Sequence, residues 1–247
     1  VMADGMLTFV TWKWHDAESG RTFPAEAVNV LYAMLARQYH APFALVCLTD
    51  DVQGIRPEVR CITLPRTKAD ALPSPHNTGS KIFPACYRRL WLFSEEARAI
   101  DDRLVNIDLD VIILNDITPL FTKYPDADFI GWCAVDRFTW HKIAGGMWLI
   151  RPGALAYIWE EFDPHTSPAE SHAAGLMGSD QAWLSYRLYP PKCQWTATDG
   201  LIKYGWIPKA GQPPPQGIRM IFTNGTAPPW AEHMQRGSPW IRNYWKL

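Results

Sequence analysis

The chain has 247 residues, with 24 Lys and Arg against 25 Asp and Glu, so its formal net charge is −1. A balance this even argues against a protein dedicated to coating nucleic acid through an excess of positive charge. A composition of 47% apolar and 20% charged residues is that of a folded chain and excludes general disorder. The length allows one large domain or two small ones, with a core that needs no disulfides.

Cysteine usage and hydropathy indicate the compartment. The chain has five cysteines, and no two of them are spaced as C-x-x-C: Cys47, Cys61, Cys86, Cys133 and Cys193. This pattern is typical of a reducing compartment. No basic-plus-apolar leader precedes the first apolar residues, and no apolar stretch reaches the roughly 18 residues that span a bilayer. We therefore expect a cytoplasmic protein without a membrane span.

The first third of the chain predicts a β-α-β unit. Residues 7–12 (LTFVTW) are β-branched and aromatic, which is typical of a buried strand. Helical spacing of apolar residues after Pro24 predicts a helix, and the apolar run 43–48 (FALVCL) predicts a central parallel strand. A short strand at 59–64 follows, and then a Pro-, Ser- and Asn-rich loop at 65–79.

The remaining elements alternate in the same manner. The sequence predicts a mostly helical segment at 81–99, strands at 104–114, 128–134, 145–150 and 218–222, helices at 154–162 and 179–188, and a linker at 212–217. The order predicts an α/β class with a Rossmann-like, mostly parallel central sheet and helices on both faces. We expect a single domain over 1–247, with a core at 1–190 and a looser C-terminal segment at 191–247.

Two acids interrupt the most apolar strand. Asp108 and Asp110 flank Leu109, so on a strand their side chains would point to the same side. Two such carboxylates repel unless a cation joins them, and the carboxyl end of a parallel strand is where ligands bind in α/β folds. Hard oxygen ligands suit Mg²⁺ or Mn²⁺. The alternative is a pair of acids that only caps the neighbouring turn.

The surroundings of these acids resemble a known family. Residues 103–121 read RLVNIDLDVIILNDITPLF: an apolar strand, a D-x-D motif, a second short strand, an Asp and a P-L-F ending. This resembles the metal-binding segment of GT-A fold glycosyltransferases, especially the family-8-like group. The segments 81–92, AGGMWLIRPG at 144–153 and GSDQAWL at 178–184 follow the family's order as well. The resemblance spans about residues 7–190.

The resemblance implies a role for each matching position. Asp108 and Asp110 would hold the metal, with Asp108 also near the donor ribose. The nucleobase would lie at the end of the first strand, at Thr11, Trp12 and Lys13, with Trp12 or Trp14 stacked on it. Core packing of these rings is the alternative. Lys81 and Arg88 would face the diphosphate, unless they belong to a solvated helix face.

The sugar side is implied in the same way. Gly145 and Gly146 would let the backbone approach the donor sugar, since neither has a Cβ; a tight turn is the alternative. Asp180 and Gln181 would hydrogen-bond sugar hydroxyls, with Asp180 near the anomeric carbon. As a helix N-cap, Asp180 would need no such role.

The sequence departs from the family in one late motif, His-x-x-Gly-x-x-Lys-Pro-Trp. Here FTNGTAPPW at 222–230 has Phe222 at the His place and Pro228 at the Lys place. Some relatives carry the His directly before the Gly, where this chain has Asn224, whose amide oxygen is a weaker ligand for a hard cation. His233 or water are the other candidates for the third metal ligand.

The implied function is transfer of a hexose from a nucleotide-sugar donor, with UDP-sugars favoured, to a hydroxyl acceptor. A glycan, a small molecule and a hydroxymethylated DNA base all stay open as acceptors. The basic and aromatic stretch 236–247 (RGSPWIRNYWKL) would either contact nucleic acid or pack onto the domain. An inverting enzyme would also need a general base, for which Asp136 and Asp180 are candidates.

Two other classes compete with this function. A carbohydrate- or nucleotide-binding module would bind the donor without turnover. A D-x-D phosphatase is disfavoured, because Ile112 stands where that motif has Thr or Val.

Overall fold

The structure, a computed structural model, describes residues 6–16, 21–72, 84–134, 141–207, 211–223 and 227–247. The strands in these ranges are β1 (Leu7–Lys13), β2 (His15–Asp16), β3 (Arg21–Thr22), β4 (Phe43–Thr49), β5 (Arg60–Thr63), β6 (Leu104–Ile107), β7 (Val111–Ile113), β8 (Phe129–Trp132), β9 (Met147–Ile150), β10 (Gln194–Trp195), β11 (Leu201–Lys203) and β12 (Met220–Phe222).

The α-helices are α1 (Ala25–Gln38), α2 (Thr118–Thr122), α3 (Tyr157–Glu160), α4 (Ser167–Ala173), α5 (Asp180–Leu188), α6 (Glu232–Gly237) and α7 (Ile241–Tyr244). More tightly wound 3₁₀ helices cover Lys68–Ala71, Pro84–Phe93, Glu95–Ala99, Ala197–Asp199 and Tyr204–Trp206. None of the helices in the described ranges has the length and apolar character needed to cross a membrane.

The strands of the described ranges form three sheets. The largest has seven strands in the order β10-β8-β9-β6-β1-β4-β5, in which β1, β4 and β5 pair in parallel and β8 pairs with β9 in antiparallel fashion. A second sheet has the order β11-β12-β7, and a two-stranded sheet joins β2 and β3. The prediction of an α/β fold with a mostly parallel central sheet is confirmed.

The chain divides into two compact units. Of the described residues, those within 65–106 and 126–194 form one unit, and those within 6–64, 107–125 and 195–247 form the other. We refer to them as the first and the second unit. The predicted organisation, one domain with a core at 1–190 and a looser C-terminal segment at 191–247, stays a prediction.

The second unit contains the predicted β-α-β motif. All seven residues of β1 are buried, and β1 pairs with β4 from Leu7 opposite Phe43 to Lys13 opposite Thr49. Pro24 is the N-cap of α1 with φ −70° and ψ 147°, consistent with the restricted φ of proline at helix starts. Phe9 packs edge-to-face on Tyr39 and Phe121 at centroid distances of 5.3 Å. Strand and helix are thus joined by an aromatic core.

The first unit has a core rich in aromatic side chains. Phe93 packs on Trp148 with a ring-centroid distance of 5.1 Å. Trp183 is buried, and its indole N–H donates a 2.9 Å hydrogen bond to the carbonyl of Ile158. Satisfying the indole N–H removes most of the cost of burying tryptophan. Much of the high tryptophan content therefore serves the interior.

Three predicted elements differ from the structure. The segment 65–79 was expected to be a loop, and its described part contains the 3₁₀ helix Lys68–Ala71. The segment 104–114 is not one strand, because the chain bends at residues 108–110 and separates β6 from β7. The segment 81–99 was expected to be mostly helical, and its described part forms two 3₁₀ helices. They meet at Ser94, where the Ser94 N–H donates to the carbonyl of Trp91 and its carbonyl accepts from Ala97. Apolar spacing alone does not separate a period of 3.0 from 3.6 in short segments.

The C-terminal stretch 236–247 packs onto the second unit. Trp240, Ile241 and Trp245 are buried, and Trp245 lies 5.9 Å from the ring of Trp230. The guanidinium of Arg37 donates hydrogen bonds of 2.9 Å to the carbonyls of residues 244 and 246. The rings of Trp240 and Trp245 are therefore part of the core and do not form an exposed stacking surface.

Candidate active site

A buried ion pair links the 3₁₀ helix Pro84–Phe93 to the start of α5. Asp180 is the first residue of α5, and its Oδ1 accepts a 2.8 Å hydrogen bond from Nη2 of Arg89. Its Oδ2 lies 2.8 Å from Nε of the same guanidinium. The Asp180 side chain is 0% exposed and that of Arg89 is 8% exposed. Because either charge would be costly to bury alone, each depends on the other.

Gly145, in the turn before β9, lies against this pair. A Cβ at this position would be 2.8 Å from Nη2 of Arg89 and 3.3 Å from both carboxylate oxygens of Asp180. The N–H of Gly145 donates to Oε1 of Gln181 at 3.4 Å, and its carbonyl accepts from Nδ2 of Asn106 at 3.2 Å. We call these five residues the buried polar cluster. Gly145, Asp180 and Gln181 were predicted site residues, whereas Arg89 and Asn106 were not.

Tyr87 borders the buried polar cluster. Its ring stacks on Phe162 with a centroid distance of 5.0 Å and an interplanar angle of 22°. Burial, followed by the negative charge of Asp180, raises the pKa of Tyr87 well above its ordinary range. Its hydroxyl therefore stays protonated at neutral pH. The Tyr87 hydroxyl can therefore act as a hydrogen-bond donor at neutral pH.

Asp108 and Asp110 lie in the second unit, in the bend between β6 and β7. Both are half-buried, whereas Leu109 between them is 3% exposed. We call Asp108–Leu109–Asp110 the acidic link. The carbonyl of Asp110 accepts hydrogen bonds from the N–H of Thr223 at 3.1 Å and from its hydroxyl at 2.7 Å. The expectation that the acids stand on a continuous strand is corrected, because both lie in the bend.

The acidic link is a suitable donor set for a hard divalent cation. It offers two carboxylates that solvent can reach, and carboxylate oxygens are preferred ligands of Mg²⁺ and Mn²⁺. Within the described ranges, no three His, Cys, Asp or Glu side chains gather into a metal-binding group. His233 is exposed on α6. A cation here would be held by Asp108 and Asp110, with water or a further oxygen ligand completing the coordination.

The predicted nucleobase residues end β1. Thr11 is completely buried. The ammonium of Lys13 is also buried, and it donates to the carbonyl of Asp51 at 2.8 Å and to its Oδ2 at 3.0 Å. Trp12 and Trp14 are 4% and 8% exposed and meet edge-to-face at 6.3 Å. These rings present little of their faces to solvent in this structure.

Arg88, a predicted diphosphate residue, and its neighbour Arg89 have different partners. Arg88 donates to Oδ1 of Asp70, with N···O distances of 2.8 Å from Nε and 2.7 Å from Nη2, while Arg89 carries the buried ion pair. No local feature of the sequence shows which of two adjacent arginines turns inward. Gly146 is half-buried beside Gly145. Three predicted site residues lie outside the described residues: Lys81, Asp136 and Asn224.

Comparison with known proteins identifies the fold. No protein-family profile matches the sequence, and no curated protein matches it in sequence. Among solved structures, the galactosyltransferase LgtC in complex with donor and acceptor sugar analogues has a TM-score of 0.61 at 14% identity, covering 98% of this chain and 97% of that chain. An active-site mutant of LgtC, with a glutamine replaced by glutamate, has a TM-score of 0.58 at the same identity and coverage. The fold is that of GT-A glycosyltransferases, as the resemblance predicted.

Proposed function

We propose that this chain transfers a sugar from a nucleotide-sugar donor to a hydroxyl acceptor with the help of a divalent metal ion. The observation that carries the proposal is the agreement in fold with LgtC over nearly the whole of both chains. The acidic link and the buried polar cluster support it, because metal-bound diphosphates need carboxylates and sugars need directed hydrogen bonds.

The acidic link serves the diphosphate side of the reaction. When a Mg²⁺ or Mn²⁺ ion is bound, it supplies a positive charge that stabilises the leaving nucleoside diphosphate. Asp108 and Asp110 hold that ion, with Asn224 as candidate third ligand. Lys81 and Arg88 are the candidate phosphate cations.

The buried polar cluster serves the sugar. Asp180 has no exposed surface, so it acts by fixing Arg89 and by the charge that it places near the anomeric carbon. Gln181, with the backbone of Gly145 and Gly146, then orients the sugar hydroxyls. The guanidinium of Arg89 holds the Asp180 carboxylate in one position, which suits a preorganised electrostatic role beside the anomeric carbon.

The nucleobase is assigned to the end of β1, where Thr11, Trp12 and Lys13 stand. The ammonium of Lys13 has three N–H donors and directs two of them at Asp51; we assign the third to a base carbonyl. We propose a UDP-sugar as donor.

A sugar hydroxyl is the acceptor that the comparison favours, because LgtC was solved with an acceptor sugar analogue. A small metabolite or a hydroxymethylated DNA base remain alternatives for the assay, with Asp136 as candidate base on the acceptor side. None of the five cysteines, all of which lie among the described residues, forms a disulfide, and this fits work in the reducing cytoplasm.

Release of nucleoside diphosphate from a panel of UDP- and GDP-sugars with Mn²⁺ tests the proposal. We expect one donor to be cleaved, and the release to vanish with EDTA and in Asp110→Asn. Asp126→Asn is the matched control, since Asp126 is an exposed carboxylate outside both proposed sites. No release from any donor, together with no donor-induced rise in Tm, would contradict the proposal.

A binding module without turnover is the second candidate. It is favoured by the late motif at 222–230, where Phe222 and Pro228 stand in place of the family's histidine and lysine. It predicts a donor-induced rise in Tm without release of nucleoside diphosphate, and a rise that persists in Asp110→Asn.

A further inference from the structure

Thr223 is joined to the acidic link by two hydrogen bonds on one oxygen. Its backbone N–H and its hydroxyl both donate to the carbonyl of Asp110, at 3.1 Å and 2.7 Å. A carbonyl oxygen has two lone pairs, so both of its acceptor sites are in use. The hydroxyl bond is the shorter of the two.

Strand register explains how the two residues meet. In the antiparallel pair of β12 and β7, Met220 is opposite Ile113 and Phe222 is opposite Val111. Continuing this register by one residue places Thr223 opposite Asp110. The N–H bond therefore extends the ladder into the acidic link, and the hydroxyl adds a second restraint that the ladder alone does not supply.

The restraint matters because the rest of the acidic link is a bend. Leu109 anchors the bend by its burial, but the carboxylates on either side of it are half-buried and stand outside the strands. A ligand whose backbone is fixed loses less conformational entropy when it binds a cation. Fixing the peptide group of Asp110 limits the directions in which its carboxylate leaves the chain.

We infer that Thr223 is a positioning residue for the second carboxylate of the acidic link, acting through its hydroxyl on the Asp110 carbonyl. The inference rests on the proposed metal-binding role of that link. It adds to the functional site a residue that acts through the peptide group of Asp110.

Mn²⁺ affinity of the full chain, measured by EPR without nucleotide, tests the inference. Thr223→Val removes the hydroxyl and preserves shape, and we expect its dissociation constant to rise about fivefold, in line with the loss of one neutral hydrogen bond. Thr223→Ser keeps the hydroxyl and should bind Mn²⁺ nearly as the parent does. Thr122→Val is the matched control, because Thr122 also donates to a carbonyl, that of Pro119, at 3.4 Å.

The outcomes separate this inference from the proposed function. If the parent chain does not bind Mn²⁺, the proposed metal site is wrong and the inference falls with it. If the parent binds and Thr223→Val binds equally well, or Thr223→Ser binds as weakly as the valine variant, the hydroxyl does not position the carboxylate. If the valine variant does not fold, Thr223→Ala against Thr223→Ser gives the same comparison. Melting without metal shows whether a weaker affinity only reflects lower stability.

Discussion

Replacing Gly145 by alanine should disrupt the buried polar cluster. The new Cβ would lie 2.8 Å from Nη2 of Arg89 and 3.3 Å from each carboxylate oxygen of Asp180. Favourable contacts between such atoms begin at about 3.5 Å, so the guanidinium must move by more than half an ångström, by that estimate. Both partners of the ion pair are buried. If the guanidinium moves, water therefore cannot reach the two charges and compensate for the weakened contact.

The cost follows from this overlap. Overpacking a filled interior costs about 1–3 kcal/mol, and a chain of this size loses about 2–4 °C in Tm for each kcal/mol. Gly145 is outside the left-handed region, so no backbone strain adds to it. Urea unfolding measures the stability, and release of nucleoside diphosphate measures the function, which we expect to be lost together with the Arg89 geometry.

Gly205→Ala is the matched control for this substitution. Gly205 is also outside the left-handed region, and a Cβ there would meet no heavy atom within 4 Å. Its stability should change by less than about 0.5 kcal/mol. If Gly145→Ala were as stable and as active as Gly205→Ala, the close packing of Gly145, Arg89 and Asp180 would be refuted.

Three further predictions concern stability and titration. Arg89→Met should lower the free energy of unfolding in urea by about 3–5 kcal/mol, because it leaves Asp180 buried and unpaired. The control Arg88→Met breaks a partly exposed ion pair and should cost less than about 1 kcal/mol. Equal losses in the two variants would contradict the burial of the Arg89–Asp180 pair. Ile241→Ala should lower the free energy of unfolding by about 2–5 kcal/mol, whereas Leu247→Ala, at an exposed position, should change it very little. An Ile241→Ala variant as stable as the parent would contradict the packing of the C-terminal stretch on the core. Burial, followed by the nearby Cys61, raises the pKa of Cys47 from 9.0 to about 12; the folded chain therefore keeps a proton that the unfolded chain releases, and stability should fall as the pH rises from 9 towards 12. That loss should shrink in Cys47→Ala, and an unchanged loss would assign it to other groups.

The β-α-β motif was predictable because its signals are local. The apolar run at 43–48 and the helical spacing after Pro24 need no knowledge of distant residues. The same reasoning failed at residues 104–114, where an apolar run is equally compatible with one strand and with two strands that meet at a bend. The bend itself follows from pairing of β7 with β12, a contact about 110 residues away in sequence that local patterning does not contain.

In the candidate site as well, residues with a local sequence signal were predictable and residues defined by distant contacts were not. Asp108, Asp110, Gly145 and Asp180 were proposed as site residues because the order of short motifs resembles a family, and their roles stay predictions. Arg89 was missed, since an ion pair between residues 91 positions apart leaves no local trace. Thr223 was missed for a related reason: its partner is the backbone carbonyl of Asp110, and a backbone partner has no sequence signature.

Anomalous diffraction at the manganese edge, from a crystal soaked with Mn²⁺ and UDP, tests the central claim most directly. We predict a peak at about 2.0–2.6 Å from carboxylate oxygens of both Asp108 and Asp110, and its loss in Asp110→Asn. A manganese peak that avoids the acidic link while UDP is bound would contradict the account.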